Sequence, residues 1–309
     1  MINGWHNLVG LPYLEEIEIN ENLELHYYDP YVYSDVSFIY DCPKLSAFTG
    51  THTGISEDHR SFVYNHTLWG YAPAGGDVYT VPDGLTGIIA NCFVYRDDYS
   101  FTATTLITPL TIKEIVMPDT ITSYSAGPGL NKGKFDYKGF MGNYSITSIT
   151  LSSNLVSNDA RGYFSDCTAL TSVNIPSGFT GQTSAMFQDC WSLESVVLPE
   201  GMTHIDPWEF IGCSSLKSVS LPTTITEFTY TANTNSDTHH PGTGVMIRSY
   251  FMGCNNLTSI TSNNPVCSSI TIDQYTFEGV GLNGKLYSPK TSDYSTWLSF
   301  DPYYLGYYG

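Results

Sequence analysis

Charge is what this sequence has least of. Asp, Glu, Lys and Arg make up 14% of its 309 residues, against about 25% in an ordinary soluble domain. Only 12 of those side chains are basic and 30 are acidic, for a net charge of −18. Recognition of a phosphate backbone needs clustered Lys and Arg, and no such cluster exists, so a nucleic-acid partner is excluded. Attraction to an anionic membrane surface fails on the same ground. No run of about 18 apolar residues occurs, so membrane insertion is not expected. The opening MINGWHNLVGLPYLEEIEIN lacks a basic stretch followed by an apolar one and does not read as a signal peptide. The expectation is a chain that stays where it is made, leaves inside an assembled particle, or has lost its secretory portion. GxSxG, GxxxxGK[ST] and HExxH are all absent. No two of the seven cysteines stand two to four residues apart, the spacing a structural zinc site wants. No cofactor, no metal and no catalytic residue is expected, and the chain reads as no enzyme.

Hydrophobic residues make up 41% of the chain, with 24 Tyr and 15 Phe. A chain this rich in aromatics can bury a core and is not globally disordered. The informative feature is a repeat. FSDCTALTSVNIP begins at Phe164, FQDCWSLESVVLP at Phe187 and FIGCSSLKSVSLP at Phe210, a period of 23 residues. Phe140 and Phe251 start further copies, and Cys167, Cys190, Cys213 and Cys254 share one position of the grid. IKEIVMP, VPDGLTGIIANCF, CPKLSAF and LEEIEI are looser copies upstream. About nine units result, with KLYSP (285–289) as a closing strand.

One unit shows the physics. Val196 and Leu198 alternate with Ser195 and Val197, so a strand puts the first pair inside and the second outside. Pro199 cannot donate to a ladder and ends the strand. Met202, Ile205 and Phe210 point back inward from a return segment expected to be irregular or a short helical turn. No unit can bury its apolar side alone, but stacked units bury a continuous core. Strands about 4.8 Å apart make nine units a parallel sheet roughly 40 Å long.

The pattern F-x-x-C-x-x-L-x-x-[VI]-x-[IL]-P, followed by [LMI]-T-x-[IF] and a new Phe, resembles the BspA-like leucine-rich repeat family. It is clearest over 140–228 and 251–260, and looser over most of 14–288. Asn143 replaces the Cys of its unit and Ser152 the Pro. The resemblance implies a single β-dominated leucine-rich-repeat solenoid over 1–309 with little helix. Degenerate N-terminal units occupy 1–62, repeats occupy 63–282, and a C-terminal cap occupies 283–309. Insertions fall near 94–111, 123–139 and 229–250. The family consists of surface-exposed proteins of bacteria and some protists linked to adhesion, and it carries no catalytic set.

The grid explains most candidate chemistry without a site. One Cys per unit reads as a ladder of small buried thiols. Cys267 falls outside it and has no assigned place. Asn65, Asn143 and Asn256 head N-x-[ST] triplets, of which Asn143 is expected to be buried. His239 and His240, with Asp237, are the one metal-like pair, and without further ligands the polar insertion that holds them reads as a solvated loop. The outward strand positions run Ser148, Ser172, Ser195, Ser218 and Ser259 in one column, and Thr150, Asn174, Val197, Ser220 and Thr261 in the next. Such a face either satisfies its own hydroxyls or accepts a flat ligand. Tyr95 and Tyr99 in an insertion, and the Tyr-rich 26–35 and 301–309, offer the rigid amphipathic rings that supply contact energy, or else seal the ends of the array.

The candidate binding residues are therefore Tyr95, Tyr99, Ser172, Asn174, Ser195, Ser218, Ser220, His239 and His240. The anchors are Phe140, Phe164, Cys167, Phe187, Cys190, Phe210, Cys213, Phe251 and Cys254. The expected function is non-enzymatic recognition of a protein or glycan on a cell surface or matrix, from an extracellular or surface-displayed position. The alternative is a bacteriophage virion or receptor-binding protein. A carbohydrate-active enzyme is the remote one. Oligomeric state is open.

Overall fold

The computed structural model describes residues 8–9, 11–23, 39–40, 42–89, 92–93, 111–125, 139–228, 250–265, 270, 276–277, 280 and 285–289. Among these the chain is strand and turn throughout, apart from one 3-10 turn at Pro73–Gly75.

The expected strands form. Glu16–Ile19 pairs in parallel with Ala47–Gly50. Val78–Thr80, Glu114–Val116, Ser148–Thr150 and Ser172–Val173 make a four-stranded parallel sheet. Ser195–Val197, Ser218–Leu221, Ser259–Ser262 and Lys285–Tyr287 make another. The Glu194 N–H donates to Thr171 O at 3.1 Å and carries the hydrogen bonding from one sheet towards the next. The register sets Ser148 beside Ser172, Ser195 beside Ser218, and Ser218 beside Ser259. Each coil therefore repeats its neighbour's inward and outward choices. The strand at Lys285–Tyr287 closes the series where KLYSP was expected to.

The return segment differs from expectation. It is a strand, not an irregular or helical turn, and it builds a second parallel ladder. Thr67–Tyr71, Gly87–Ile89 and Ser123–Ser125 pair in that order. So do Val156–Asp159 with Gly178–Gln182, and His204–Ile205 with Glu227–Phe228. The physical reason is backbone accounting. Stacking identical coils brings the return segment's N–H and C=O groups against those of the next coil, and buried backbone groups must be paired.

The corners use left-handed backbone. In F-x-[GD]-[CN] the third position has φ of +77° at Gly142, +60° at Asp166, +58° at Asp189, +77° at Gly212 and +84° at Gly253. Gly adopts this conformation freely, and Asp is one of the few side chains that tolerate it. One departure from parallel order occurs. Ser61–Tyr64 and Thr67–Tyr71 form an antiparallel hairpin, with Asn65 and His66 both at positive φ, as a two-residue turn requires. Residue 62 lies inside its first strand, so the junction placed there between degenerate and regular units runs through a paired strand.

The core is one continuous cluster from Ile19 to Val280. All nine anchor residues are fully buried. The rings of Phe93, Phe140, Phe164, Phe187, Phe210, Phe251 and Phe277 stack in sequence, with centroids 5.2 to 6.3 Å apart and planes within 14° of parallel. The cysteines have a specific task beside them. Each thiol donates to the carbonyl of the preceding coil's Phe: Cys167 to Phe140 O, Cys190 to Phe164 O, Cys213 to Phe187 O and Cys254 to Phe210 O, at 3.0 to 3.2 Å. Cys42, Cys92 and these four are free and buried. Burial pushes the thiols of Cys167, Cys190 and Cys213 well above their ordinary range, which disfavours the reactive thiolate. Asn143 is buried and takes over the same task, its amide donating to Phe93 O and Phe140 O.

Candidate functional site: an uncharged outer sheet face

The strands of the first ladder aim alternate side chains outward. Ser172, Asn174 and Ser195 are exposed, and Ser218 and Ser220 are half-buried. Ser220 accepts from the Asn263 amide at 3.1 Å. From Ser148 to Ser262 the outward positions carry no ionisable group. Glu114 precedes this stretch in register with Ser148, and Lys285 follows it in register with Ser259. On a chain of charge −18 this is a neutral, shallow, hydroxyl-lined surface about five strands wide. Its apolar point is Val197, 66% exposed, and Tyr287, 51% exposed, stands on the bordering Lys285 strand. Both continue the Thr150, Asn174, Ser220 and Thr261 column by register. Tyr95, Tyr99, His239 and His240 lie outside the described residues, as do Cys267 and most of the three insertions.

Trp191 was not singled out by the sequence pattern. It is 56% exposed in the turn that leads into Ser195–Val197, and its carbonyl accepts from Ser215 N at 3.1 Å and from Ser214 Oγ at 3.3 Å. In this grid position the adjacent coils carry Thr168 and Ser214, and the coil before those carries Tyr144, so the signal available beforehand was a large ring flanked by small polar residues. Lys217 and Glu194 pair at 3.0 Å just before their strands, both largely exposed. Such a pair contributes at most about 1 kcal/mol.

Acidic residues after the turn prolines act between coils. The Asp119 carboxylate accepts the Ser153 N–H and hydroxyl, both at 2.8 Å. Glu200 does the same for Thr223, at 3.1 and 2.6 Å. These bonds hold both carboxyls below their ordinary range. They staple coils together and leave no proton to donate near neutral pH.

A second polar group is internal. Thr183, Asp206 and Glu209 are all buried. The Asp206 carboxylate accepts Thr183 N–H at 2.8 Å and lies 3.8 Å from His204 Nε2. Neither oxygen of Glu209 has a hydrogen-bond partner, and nor does the Thr183 hydroxyl. Burial, with the nearby Asp206 charge adding to it, holds the Glu209 carboxyl far above its ordinary range. Two carboxyls of one neighbourhood would suit glycoside chemistry only if a sugar could reach them. These are sealed from solvent. Among the described residues no group of three His, Cys, Asp or Glu is placed to hold a metal ion, and no helix is long and apolar enough to cross a membrane.

Among the described residues, stacked parallel coils, a Phe column, a thiol ladder and short strands with aliphatic residues on their inner side define a leucine-rich-repeat solenoid. Residues 133–240 match the BspA type leucine rich repeat region in six copies. No curated protein matches the chain. Among solved structures, a leucine rich cell surface protein from Faecalibacterium prausnitzii A2-165 is 18% identical over 74% of this chain and 44% of its own, with a TM-score of 0.38. The T. pallidum Leucine Rich Repeat protein is 20% identical over 83% of this chain and 93% of its own, at 0.43. The pneumococcal vaccine antigen PcpA is 11% identical over 90% and 51%, at 0.43. The chain thus spans less than half the length of the first of these and about half of the third.

Proposed function

We propose that this chain is a non-enzymatic recognition module of a surface-displayed protein, binding a protein or glycan partner through its outer sheet face and inserted loops. The observation that carries this reading is the uncharged face from Ser148 to Ser262 on an otherwise strongly acidic chain. A neutral face of small side chains lets a broad, flat partner approach the backbone closely. Hydroxyls alone give little binding energy, which comes mainly from Trp, Tyr and Arg. Tyr287 and Trp191 are the exposed groups suited to supply it.

The test is binding of labelled protein to intact bacterial cells and, in parallel, to host matrix proteins with mucin-type glycans. The comparison is between the native chain, a S195K/S218K variant and a variant lacking 229–249, which spares the buried Tyr250. The lysines stand on exposed or half-buried outward positions and leave the core untouched. A loss of tenfold or more with the lysines places contact on the face, and a loss with the deletion places it on the insertion. Retention of full binding by both variants refutes the reading. Bacterial targets would point to recognition between bacteria or to a receptor-binding component of a particle. Host targets would point to adhesion to host tissue.

A further inference from the structure

Among the described residues, the most unusual side chain lies away from the outer sheet face. Backbone bonds from Phe140 to Tyr163 O, Phe164 to Met186 O, Phe187 to Glu209 O and Phe210 to Tyr250 O place Tyr163, Met186, Glu209 and Tyr250 in one column, at 2.8 to 3.0 Å. Three of the four are the bulky, largely apolar side chains a solenoid interior wants. The fourth is a carboxyl, fully buried, with no hydrogen-bond partner on either oxygen. Burying an unpaired carboxylate costs many kcal/mol, and in practice such a group keeps its proton.

Three further features meet at this coil. The second ladder is interrupted here: Gly178–Gln182 pairs only backward with Val156–Asp159, and His204–Ile205 only forward with Glu227–Phe228. The gap is bridged by side chains, with Asp206 accepting Thr183 N–H at 2.8 Å and Ser184 donating to Pro207 O at 3.0 Å. The corner backbone is strained. The position two before the Phe is Gly162 in one coil, but Ala185 and Trp208 in the next two, with φ of +59° and +67°. Each non-glycine residue held there costs about 1–2 kcal/mol. Finally, burial and the nearest charge outweigh the groups that would favour a charged Glu209. From its own coil there is Asp206, whose charge opposes ionisation, with His204 on the far side of Asp206 at 3.8 Å. The preceding coil gives Met186 and the buried Thr183 hydroxyl. The Thr183 hydroxyl and Met186 N–H ease ionisation without completing a hydrogen bond to the carboxyl. The following coil gives Tyr250.

We propose that Glu209 is a pH-sensitive joint in the array. Uncharged, it seals the core where the second ladder is broken; ionised, it loosens the coils on either side, over 183–228. The direction follows from linkage. The proton is held more tightly in the folded state than in the opened one. The closed joint is therefore fully favoured below the ordinary carboxyl value of 4.5. The advantage declines as pH rises from there towards the folded-state value, with the opened population growing about tenfold for each pH unit. Acid thus tightens this joint. The proposal concerns the fold alone and stands whether or not the outer face binds a partner.

Hydrogen exchange by mass spectrometry on the full chain tests it, after correction for the intrinsic pH dependence of exchange. Protection across 183–228 is compared between about pH 5 and pH 8, with the Phe140–Leu170 coils as internal reference. The native chain should lose protection at 183–228 by about tenfold for each pH unit over part of that range, while the reference does not. E209Q keeps the shape but cannot ionise, and E209M copies the Met186 of the coil before. Both should abolish the pH slope. Two variants are needed because one alone may fail to fold. A flat profile in the native chain overturns the proposal, and so does an unchanged slope in a folded variant.

Discussion

Replacing Phe187 by Ala tests the Phe column where it is most complete. The ring is fully buried and faces Phe164 at 5.4 Å and 10° on one side, and Phe210 at 5.5 Å and 2° on the other. Truncating a buried Phe to Ala usually costs about 3–5 kcal/mol. Two ring pairs, each contributing about 0.5–1.5 kcal/mol, are broken at once, so the upper part of that range, about 4–5 kcal/mol, is expected. The site cannot collapse cheaply, because both neighbouring rings are held in register by their own coils. The Cys213 thiol also donates to Phe187 O at 3.0 Å, so a backbone shift that filled the cavity would break that bond. Against a typical net stability of about 5–15 kcal/mol this is a large fraction. Urea denaturation followed by far-UV circular dichroism reads it as a lower midpoint. F277A is the internal control. Phe277 is the last described ring of the column, with Phe251 at 6.3 Å beside it and Phe228 at 5.8 Å outside the column, and it is 7% exposed. It should cost clearly less, about 2–3 kcal/mol. A loss below about 1 kcal/mol for F187A, or equal losses for the two, would mean that the column does not hold the coils together.

Two further substitutions probe the grid at its exceptions. N143C restores the residue the other coils carry and removes the buried Asn143 Oδ1, which has no hydrogen-bond partner. It should raise stability by about 1 kcal/mol in the same denaturation assay, and a fall would show that the Asn143 amide bonds to Phe93 O and Phe140 O outweigh the orphaned oxygen. G212A and G84A separate backbone strain from collision. Both glycines have φ near +80°, but a Cβ on Gly212 would run into the Asp189 carboxylate, whereas one on Gly84 meets nothing within 4 Å. G84A should cost only the left-handed backbone, about 1–2 kcal/mol, and G212A at least about 1 kcal/mol more. Equal costs would contradict the coil-on-coil contact.

How far the fold could be read from sequence depended on which physical constraint each residue answers to. Phe187, Cys190, Leu193, Val196 and Pro199 answer to stacking, which repeats every 23 residues, so their spacing exposed the coil, the first strand and the outward Ser column. The return strand was not readable. His204–Ile205 is two residues long, too short to show alternation, and its pairing is decided by backbone bonds to the next coil. The thiol ladder was readable as burial but not as bonding, since the acceptor is a carbonyl one coil away. Glu209 could have been found by reading columns across coils, where it is the one charged residue among Tyr163, Met186 and Tyr250, and Trp191 stands out from its immediate neighbours Thr168 and Ser214. Of the candidate site, the Ser and Asn positions emerged from strand alternation, while Tyr95, Tyr99, His239 and His240 stand in insertions that no grid constrains. In a stacked array, a residue that fits its column is explained by the fold. A residue that breaks the column needs a separate cause. Asn143 has one, because its amide still reaches the Phe carbonyl. Glu209 has none in stacking, since Gln or Met would serve the core better. That is why the search for regulation belongs at Glu209 and the search for a partner belongs on the face.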